Sequence, residues 1–300
     1  MDKLIVFHHD DLDGVASAAV VVHSPLYFDK KEKVAIPVDY DKPFPIEMVD
    51  KNTIVFIVDY TPPHHIMSKL LKMYTSGEIK EWYWVDHHKT VIQKYNKMPW
   101  IQIPGIRSTG KAACELTWEL FPHSPSETIP DAIRMIGEYD TWRFGKNTDV
   151  VDFKYGLEVI DDIYNPLSAY WISLINGDAL INDIIYIGSR VRRRERMINE
   201  RIAERNAFWI DFHGLNVVAL NFVGNSFALE SITEPHDAKM LFHFNGEKWI
   251  VGLYAGNTER DIDLSEIAKK YGGGGHPGAS GFVTNQSVID EILSKRRKNN

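Results

Sequence analysis

Cysteine occurs once in this chain, at Cys114. A single thiol cannot close an intrachain disulfide, which excludes a disulfide-stapled secreted scaffold and suits a reducing cytosol. No apolar run approaches the roughly eighteen residues of a membrane span. The run Leu4-Ile5-Val6-Phe7 also starts too near Met1 to follow a charged segment and serve as a long signal core. The expectation is a cytoplasmic protein without a membrane partner. Positive charge is in deficit as well: 34 Lys and Arg stand against 41 Asp and Glu, a net charge of −7. That balance argues against the broad basic surface needed for long duplex nucleic acid, but not against a small phosphorylated substrate. Internal repeats and low-complexity segments are absent from the sequence.

What is present is ordinary for a folded protein, with 44% hydrophobic and 25% charged residues over 300 positions. Disorder is excluded as the main state, and the length predicts two domains. Lys3 to Phe7, Lys33 to Val38, Thr53 to Val58 and Glu81 to Val85 read as strands rich in Val, Ile, Trp and Tyr. Val15 to Val22, Ile46 to Val49 and His64 to Tyr74 are the expected crossovers, although Val15 to Val22 alone also suits a strand. Strands that do not alternate strictly, separated by helices, predict a buried parallel sheet. Lys111 to Leu120 and Pro130 to Glu138 read as further helices. The chain then turns long, helical and charged, with Arg190, Arg192, Arg193, Arg194 and Arg196 clustered on a connecting helix, read either as a solvated basic face or as a nucleic-acid contact. Strand patterns return at Leu215 to Phe222, Lys239 to Phe244 and Lys248 to Tyr254. The predicted architecture is α/β: a parallel-sheet domain over 1–180, a helical connector over 181–210 and a smaller α/β domain over 211–300.

His9-Asp10-Asp11-Leu12-Asp13-Gly14 follows directly on the first strand. Its polar side chains emerge at the carboxyl end, the edge where open parallel sheets bind ligands. Asp59 ends the third apolar run in the same way, Asp86-His87-His88 ends the fourth, and Asp140 closes a helical segment. Each of these alone suits an Asx turn or a helix cap. Together they would repel one another prohibitively unless cations lie between them. Aspartate oxygens and imidazole nitrogens without thiolate suit Mn²⁺ or a similar divalent ion better than structural zinc. Two ions about 3.5–4 Å apart would use this many donors by sharing one carboxylate.

A second candidate site follows the expected helix Leu264 to Tyr271, where Asp263 and Glu266 resemble a capping box and Gly272 suits the C′ position. One glycine would end that helix. The further run Gly273-Gly274-Gly275-His276 is read either as a flexible turn or as consecutive bare N–H groups forming an anion-binding nest, with Arg260 as a neighbouring phosphate clamp. No Gly-Lys-Ser or Gly-Lys-Thr follows it, so it is not a Walker A loop.

In order and spacing these residues resemble the DHH phosphoesterases. His9-x-Asp11-x-Asp13-Gly14, the isolated Asp59, Asp86-His87-His88 and Asp140 are similar to the four motifs of that family, and Gly272 to His276 with Pro277-Gly278-Ala279-Ser280-Gly281 is similar to the glycine-rich motif of its associated C-terminal domain. The resemblance implies two Mn²⁺ ions, with Mg²⁺ or Co²⁺ as substitutes. His9, Asp11 and Asp59 would hold one and Asp13, Asp59, His87 and Asp140 the other, Asp59 bridging. Asp86 would orient its neighbours and His88 would face the substrate phosphate. His8 also precedes the motif, but only His9 has the H-x-D-x-D-G spacing. Ser108-Thr109-Gly110 either lines the cleft, as a similar family segment does, or is a plain N-cap. Relatives often carry Ser-x-Arg where this chain has Thr258-Glu259-Arg260.

Glu138-Tyr139-Asp140-Thr141-Trp142 is similar to the subgroup of oligoribonucleases and cyclic-nucleotide phosphodiesterases. The expected activity is therefore hydrolysis of short single-stranded RNA, the nanoRNA size class, by exonucleolytic release of nucleoside 5′-monophosphates. Arg260, Gly273, Gly274, Gly275 and His276 are the expected substrate contacts, and a homodimer is left open. Rival readings are a pyrophosphatase, polyphosphatase or cyclic-dinucleotide phosphodiesterase, and, in another class, a non-catalytic nucleotide-binding regulator.

Overall fold

The computed structural model describes residues 3–297 apart from 31, 41, 96–102, 124–126, 178, 179 and 225. The chain divides into two units, Met1–Val191 and Arg192–Asn300, and the fold is α/β.

The first unit opens with Lys3–His9 (β1), Leu12–His23 (α1), Glu32–Val38 (β2), Thr53–Val58 (β3), His64–Thr75 (α2) and Glu81–Val85 (β4). The four strands are all parallel, in the order β2-β1-β3-β4. Every residue of β3 is buried, as a strand covered on both faces requires. Ile5, Phe7, Val55, Ile57, Trp82 and Trp84 turn to one face, where Met67 and Leu70 of α2 pack. Leu4, Val6, Ile54, Phe56, Val58 and Val85 turn to the other, against Ala18, Val21 and Val22 of α1.

Among the described residues five helices complete the unit and a sixth leaves it: Lys89–Tyr95 (α3), Ala113–Leu120 (α4), Asp131–Asp140 (α5), Thr148–Leu157 (α6), Ala169–Asn176 (α7) and Ile181–Asn206 (α8). Val15, Ala16, Ala19 and Val20 of α1 pack against Cys114, Ile133, Phe153 and Trp171 from this layer. With the sheet on one side and helices on the other, α1 is buried from Asp13 to Val22. A helix buried all round shows no apolar stripe, which is why its sequence also suits a strand. Ile46–Met48 is a single 3-10 turn rather than a crossover helix, preceded by a tight turn at Pro45 (φ −80°, ψ 61°) in which Ile46 N–H bonds the Phe44 carbonyl at 2.9 Å. The N-cap of α4 is Ala112, so Ser108-Thr109-Gly110 is not a plain N-cap; its residues are exposed in the loop ahead of the helix.

α8 runs across the boundary between the units, and no helix among the described residues is long and apolar enough to cross a membrane. The second unit contains Phe208–Phe212 (β5), Leu215–Asn221 (β6), Ala238–Phe244 (β7), Trp249–Ala255 (β8), Leu264–Lys270 (α9), Gly274–His276 (β9), Ala279–Thr284 (β10) and Gln286–Ser294 (α10). Its sheet is mixed, ordered β5-β6-β7-β8-β10-β9, with β6 and β7 parallel and the other neighbours antiparallel. Leu264, Ile267 and Ala268 of α9 and Ile289 and Ile292 of α10 cover one face through Ile210, Val217, Met240, Val251 and Phe282.

The glycine run is built differently from an open nest. Gly272 (φ +79°) and Gly273 donate their N–H groups back to Lys269 and Ala268 at the end of α9, while Gly274, Gly275 and His276 form the edge strand β9. A Cβ on Gly273 would lie 2.0 Å from the Gly281 carbonyl oxygen, and one on Gly275 2.6 Å from the Ser280 Cα. Close approach to β10 is what these glycines permit. Only half of the expected capping box forms: Asp263 accepts from Ser265 N, while Glu266 pairs with Lys269.

Candidate metal centre

The sheet register fixes the first part of the site. His8 pairs with Val58 and Val58 with Val85, so His9, Asp59 and Asp86 are each the next residue along at one carboxyl edge. Asp59 leaves its strand with φ +55°, a left-handed conformation that aspartate tolerates better than most residues. Its N–H still reaches the Val85 carbonyl, at 3.0 Å. The side chain is thereby turned into the edge and buried, at 1% exposure.

His9 Nδ1 lies 2.7 Å from Asp11 Oδ2 and 3.8 Å from Asp59 Oδ2. The other oxygen of Asp11 accepts Gly14 N and caps α1, so one carboxylate starts the helix and faces the site. His87 Nε2 sits among three carboxylates, 3.3 Å from Asp59 Oδ1, 3.5 Å from Asp140 Oδ2 and 3.6 Å from Asp13 Oδ2. Asp13 is held by the first turn of α4, accepting Ala113 N and Cys114 N at 2.8 Å each, while Asp140 is the last residue of α5.

Asp86 is fully buried beside the centre and is not among its donor groups. It accepts Thr61 Oγ1 on one oxygen and, on the other, the backbone N (2.8 Å) and ring Nδ1 (2.9 Å) of His88. The His88 ring is thereby fixed through Nδ1. Thr61 has no signal in the sequence; only the fold brings it to Asp86.

Among the described residues three groups of donor atoms, each within 4.8 Å of one another, result: His9, Asp11 and Asp59; Asp13, His87 and Asp140; and Asp59, His87 and His88. The structure thus brings together all six residues expected from the sequence as ligands. Arg260 and His276 belong to the second unit, where both are exposed. Arg260 Nη1 is 2.6 Å from Asp237 Oδ2, and Thr258 donates to the other oxygen of that aspartate.

Electrostatics mark the centre as incomplete without positive charge. Burial, reinforced by Asp13 and Asp11, drives the carboxyls of Asp59 and Asp140 well above the ordinary range. Burial would raise Asp11 too, but the hydrogen bond and charge of His9 outweigh it and hold this carboxyl at about 2. His9 is pushed up by its bond to Asp11; burial opposes the charged form of His88, but Asp86 overcomes it and raises that imidazole. His87 is pushed down, chiefly by burial, toward the neutral form that has a lone pair to donate. Among the described residues Asp59 Oδ1 is buried with no hydrogen-bond donor. An orphaned carboxylate oxygen beside a neutral imidazole and further carboxylates is a donor set that fits divalent cations.

A scan against protein-family models finds no match for the chain. An uncharacterized protein of Acanthamoeba polyphaga mimivirus is 24% identical over 305 residues, covering 93% of this chain and 67% of that protein. Among solved structures, the pGpG-specific phosphodiesterase PggH from Vibrio cholerae has a TM-score of 0.55 at 15% identity, over 98% of this chain and 97% of that one. The DHH domain of a member of the s1p family of ribosomal proteins gives 0.55 at 14%, over 98% and 85%. An exopolyphosphatase-related protein from Bacteroides fragilis gives 0.51 at 14%, over 98% and 92%. The chain shares its fold with these structures over nearly its whole length.

Proposed function

We propose that this chain is a cytoplasmic, cation-dependent phosphodiesterase of the DHH type that hydrolyses short RNA oligonucleotides to nucleoside 5′-monophosphates. The observation that carries the reading is the convergence of overlapping donor groups on Asp59, at the carboxyl edge of a parallel sheet. His9, Asp11 and Asp59 would hold one ion and Asp13, Asp59, His87 and Asp140 the other. The mixed oxygen and nitrogen donors favour Mn²⁺, with Mg²⁺ or Co²⁺ as substitutes. Bound there, two divalent ions would offset the carboxylate charge, polarise the phosphodiester and acidify a water.

The chain's own residues have distinct tasks in this reading. Asp59 would serve both cations. Asp86 and Thr61 lock His88 through its Nδ1, leaving Nε2 to meet a phosphate oxygen. Because Asp86 favours the charged imidazole, His88 can bring a proton to that contact. Arg260, steadied by Asp237, and His276 with its neighbours Gly273, Gly274 and Gly275 are the substrate contacts of the second unit. The net charge of −7 gives distant phosphates of a long strand little reward, which favours short substrates. A fold shared with a pGpG-specific phosphodiesterase supports a dinucleotide-sized substrate.

The test is turnover of two- to five-nucleotide RNA, pyrophosphate, polyphosphate and cyclic di-AMP, side by side with Mn²⁺. Release of 5′-monophosphates from the RNA is the expected result. Turnover confined to pyrophosphate, polyphosphate or the cyclic dinucleotide would replace the substrate. Nucleotide binding without hydrolysis of any of them would replace the enzyme by a regulator.

A further inference from the structure

We infer that Glu115 is a positioning residue for the cation site built on Asp13 and Asp140, acting through Arg143. The inference rests on the reading of those two aspartates as ligands. Glu115 belongs to α4, next to the residues whose amides hold Asp13, and its side chain is only 6% exposed. A buried carboxylate is costly unless its oxygens are satisfied. Here Oε2 accepts the Ala112 N–H at 2.9 Å and the guanidinium of Arg143.

Arg143 comes three residues after Asp140 and is itself held to the end of α5. Its N–H bonds the Glu138 carbonyl at 2.9 Å, and its Nε bonds Thr141 Oγ1 at 2.7 Å. Thr141 in turn donates to the Gly137 carbonyl at 2.6 Å. The turn that presents Asp140 is therefore tied to α4 by one ion pair. The packing agrees: a Cβ on Gly137 would lie 2.6 Å from Glu115 Oε2, so glycine lets α5 seat directly on this carboxylate. Asp13, gripped by the amides of α4, and Asp140, at the end of α5, both approach His87 Nε2, and Glu115 sets the spacing of α4 against α5. Supporting groups of this kind commonly tune metal affinity ten- to a hundredfold.

The full-length protein, stripped of metal, would be titrated with Mn²⁺ by calorimetry and electron paramagnetic resonance. Two Mn²⁺ ions are expected in the wild type. Glu115→Ala and Arg143→Ala should each weaken one of the two equilibria about tenfold or more, and the double variant no more than either alone, because both act through one contact. Glu115→Gln, which keeps an acceptor for Ala112 N and Arg143, should recover part of the loss. Gly137→Ala separates positioning from stability: alanine favours the helix intrinsically, yet it displaces Glu115, so Mn²⁺ affinity should fall while helix content holds. If Glu115→Ala does not fold by circular dichroism, Arg143→Ala and Gly137→Ala decide the question. Unchanged affinity at both sites in folded variants would overturn the inference. No Mn²⁺ binding by the wild type, or none lost in Asp13→Asn, would instead overturn the ligand assignment.

Discussion

A carboxylate with 1% exposure, a left-handed backbone and one oxygen lacking a donor costs the fold free energy at three points, and Asp59 has all of these features. Such a group persists when something outside the chain repays the cost. Replacing it by asparagine preserves shape and suits the positive φ, but removes the charge two cations would share. We expect Asp59→Asn to lower kcat at saturating Mn²⁺ by about a hundredfold or more, ~2.7 kcal/mol of barrier, and to raise the unfolding temperature of the chelated protein. Asp10→Asn changes the same charge at an exposed position outside the donor groups and should stay within about tenfold of wild type. Single-turnover rates on a dinucleotide and thermal unfolding in chelator check both; near-normal turnover of Asp59→Asn would remove the bridging role. At this scale the sequence was informative wherever chemistry is written locally: His9, Asp11, Asp13, Asp59, His87, His88 and Asp140 fall into overlapping donor groups, with Asp86 bonded to His88 beside them. Thr61, Glu115 and Arg143 were not legible, because each matters through a partner far along the chain. Glu115 and Arg143 are 28 residues apart, and no spacing rule connects them.

Elements place these residues through register and close packing. α1 starts immediately past β1, and a Cβ on Gly14 would lie 2.2 Å from the His9 carbonyl oxygen, so this glycine is required by contact and not by its torsion angles. Gly14→Ala should therefore destabilise the chelated protein by about 1–3 kcal/mol, although alanine inside an exposed helix would normally gain roughly 1 kcal/mol over glycine. Denaturant unfolding measures the difference, and a neutral or stabilising result would mean that α1 and β1 are not packed this tightly. Strands β1 and β3 were legible because a doubly covered strand reads as an unbroken run of Val, Ile and aromatic residues. β10 was not: Ala279-Ser280-Gly281 stands in the glycine-rich motif without a strand pattern, and it is a strand because β8 on one side and β9 on the other supply its partners. α6 escaped for the same reason that made α1 ambiguous, since burial from Val150 to Phe153 and from Tyr155 to Leu157 leaves little stripe to read.

For the molecule as a whole, the net charge of −7 includes a cluster of carboxylates that the fold cannot neutralise from within. Asp59 and Asp140 bind protons more tightly folded than unfolded, their carboxyls held by burial above the ordinary 3.8. Folding then takes up protons between that value and the raised ones. The stability these groups contribute is present at low pH and is lost as pH rises through the folded values. His9 and His88, raised above 6.5, act in the same direction. His87, pushed down by burial, opposes them, and Asp11, at about 2, withdraws stability on acidification from 3.8 toward that value. Divalent ions reverse the larger trend, because they bind ionised carboxylates and neutral imidazole and so compete with protons. At a free concentration a hundred times Kd each site adds ~2.7 kcal/mol, and the Kd itself falls as pH rises. The rise in unfolding temperature on adding a fixed excess of Mn²⁺ should accordingly be larger near about pH 8 than near about pH 5.5, and chelation should abolish it at both. Scanning calorimetry at the two pH values decides the matter: an increment independent of pH would mean that the carboxylates raised by burial are not the groups that hold the cations.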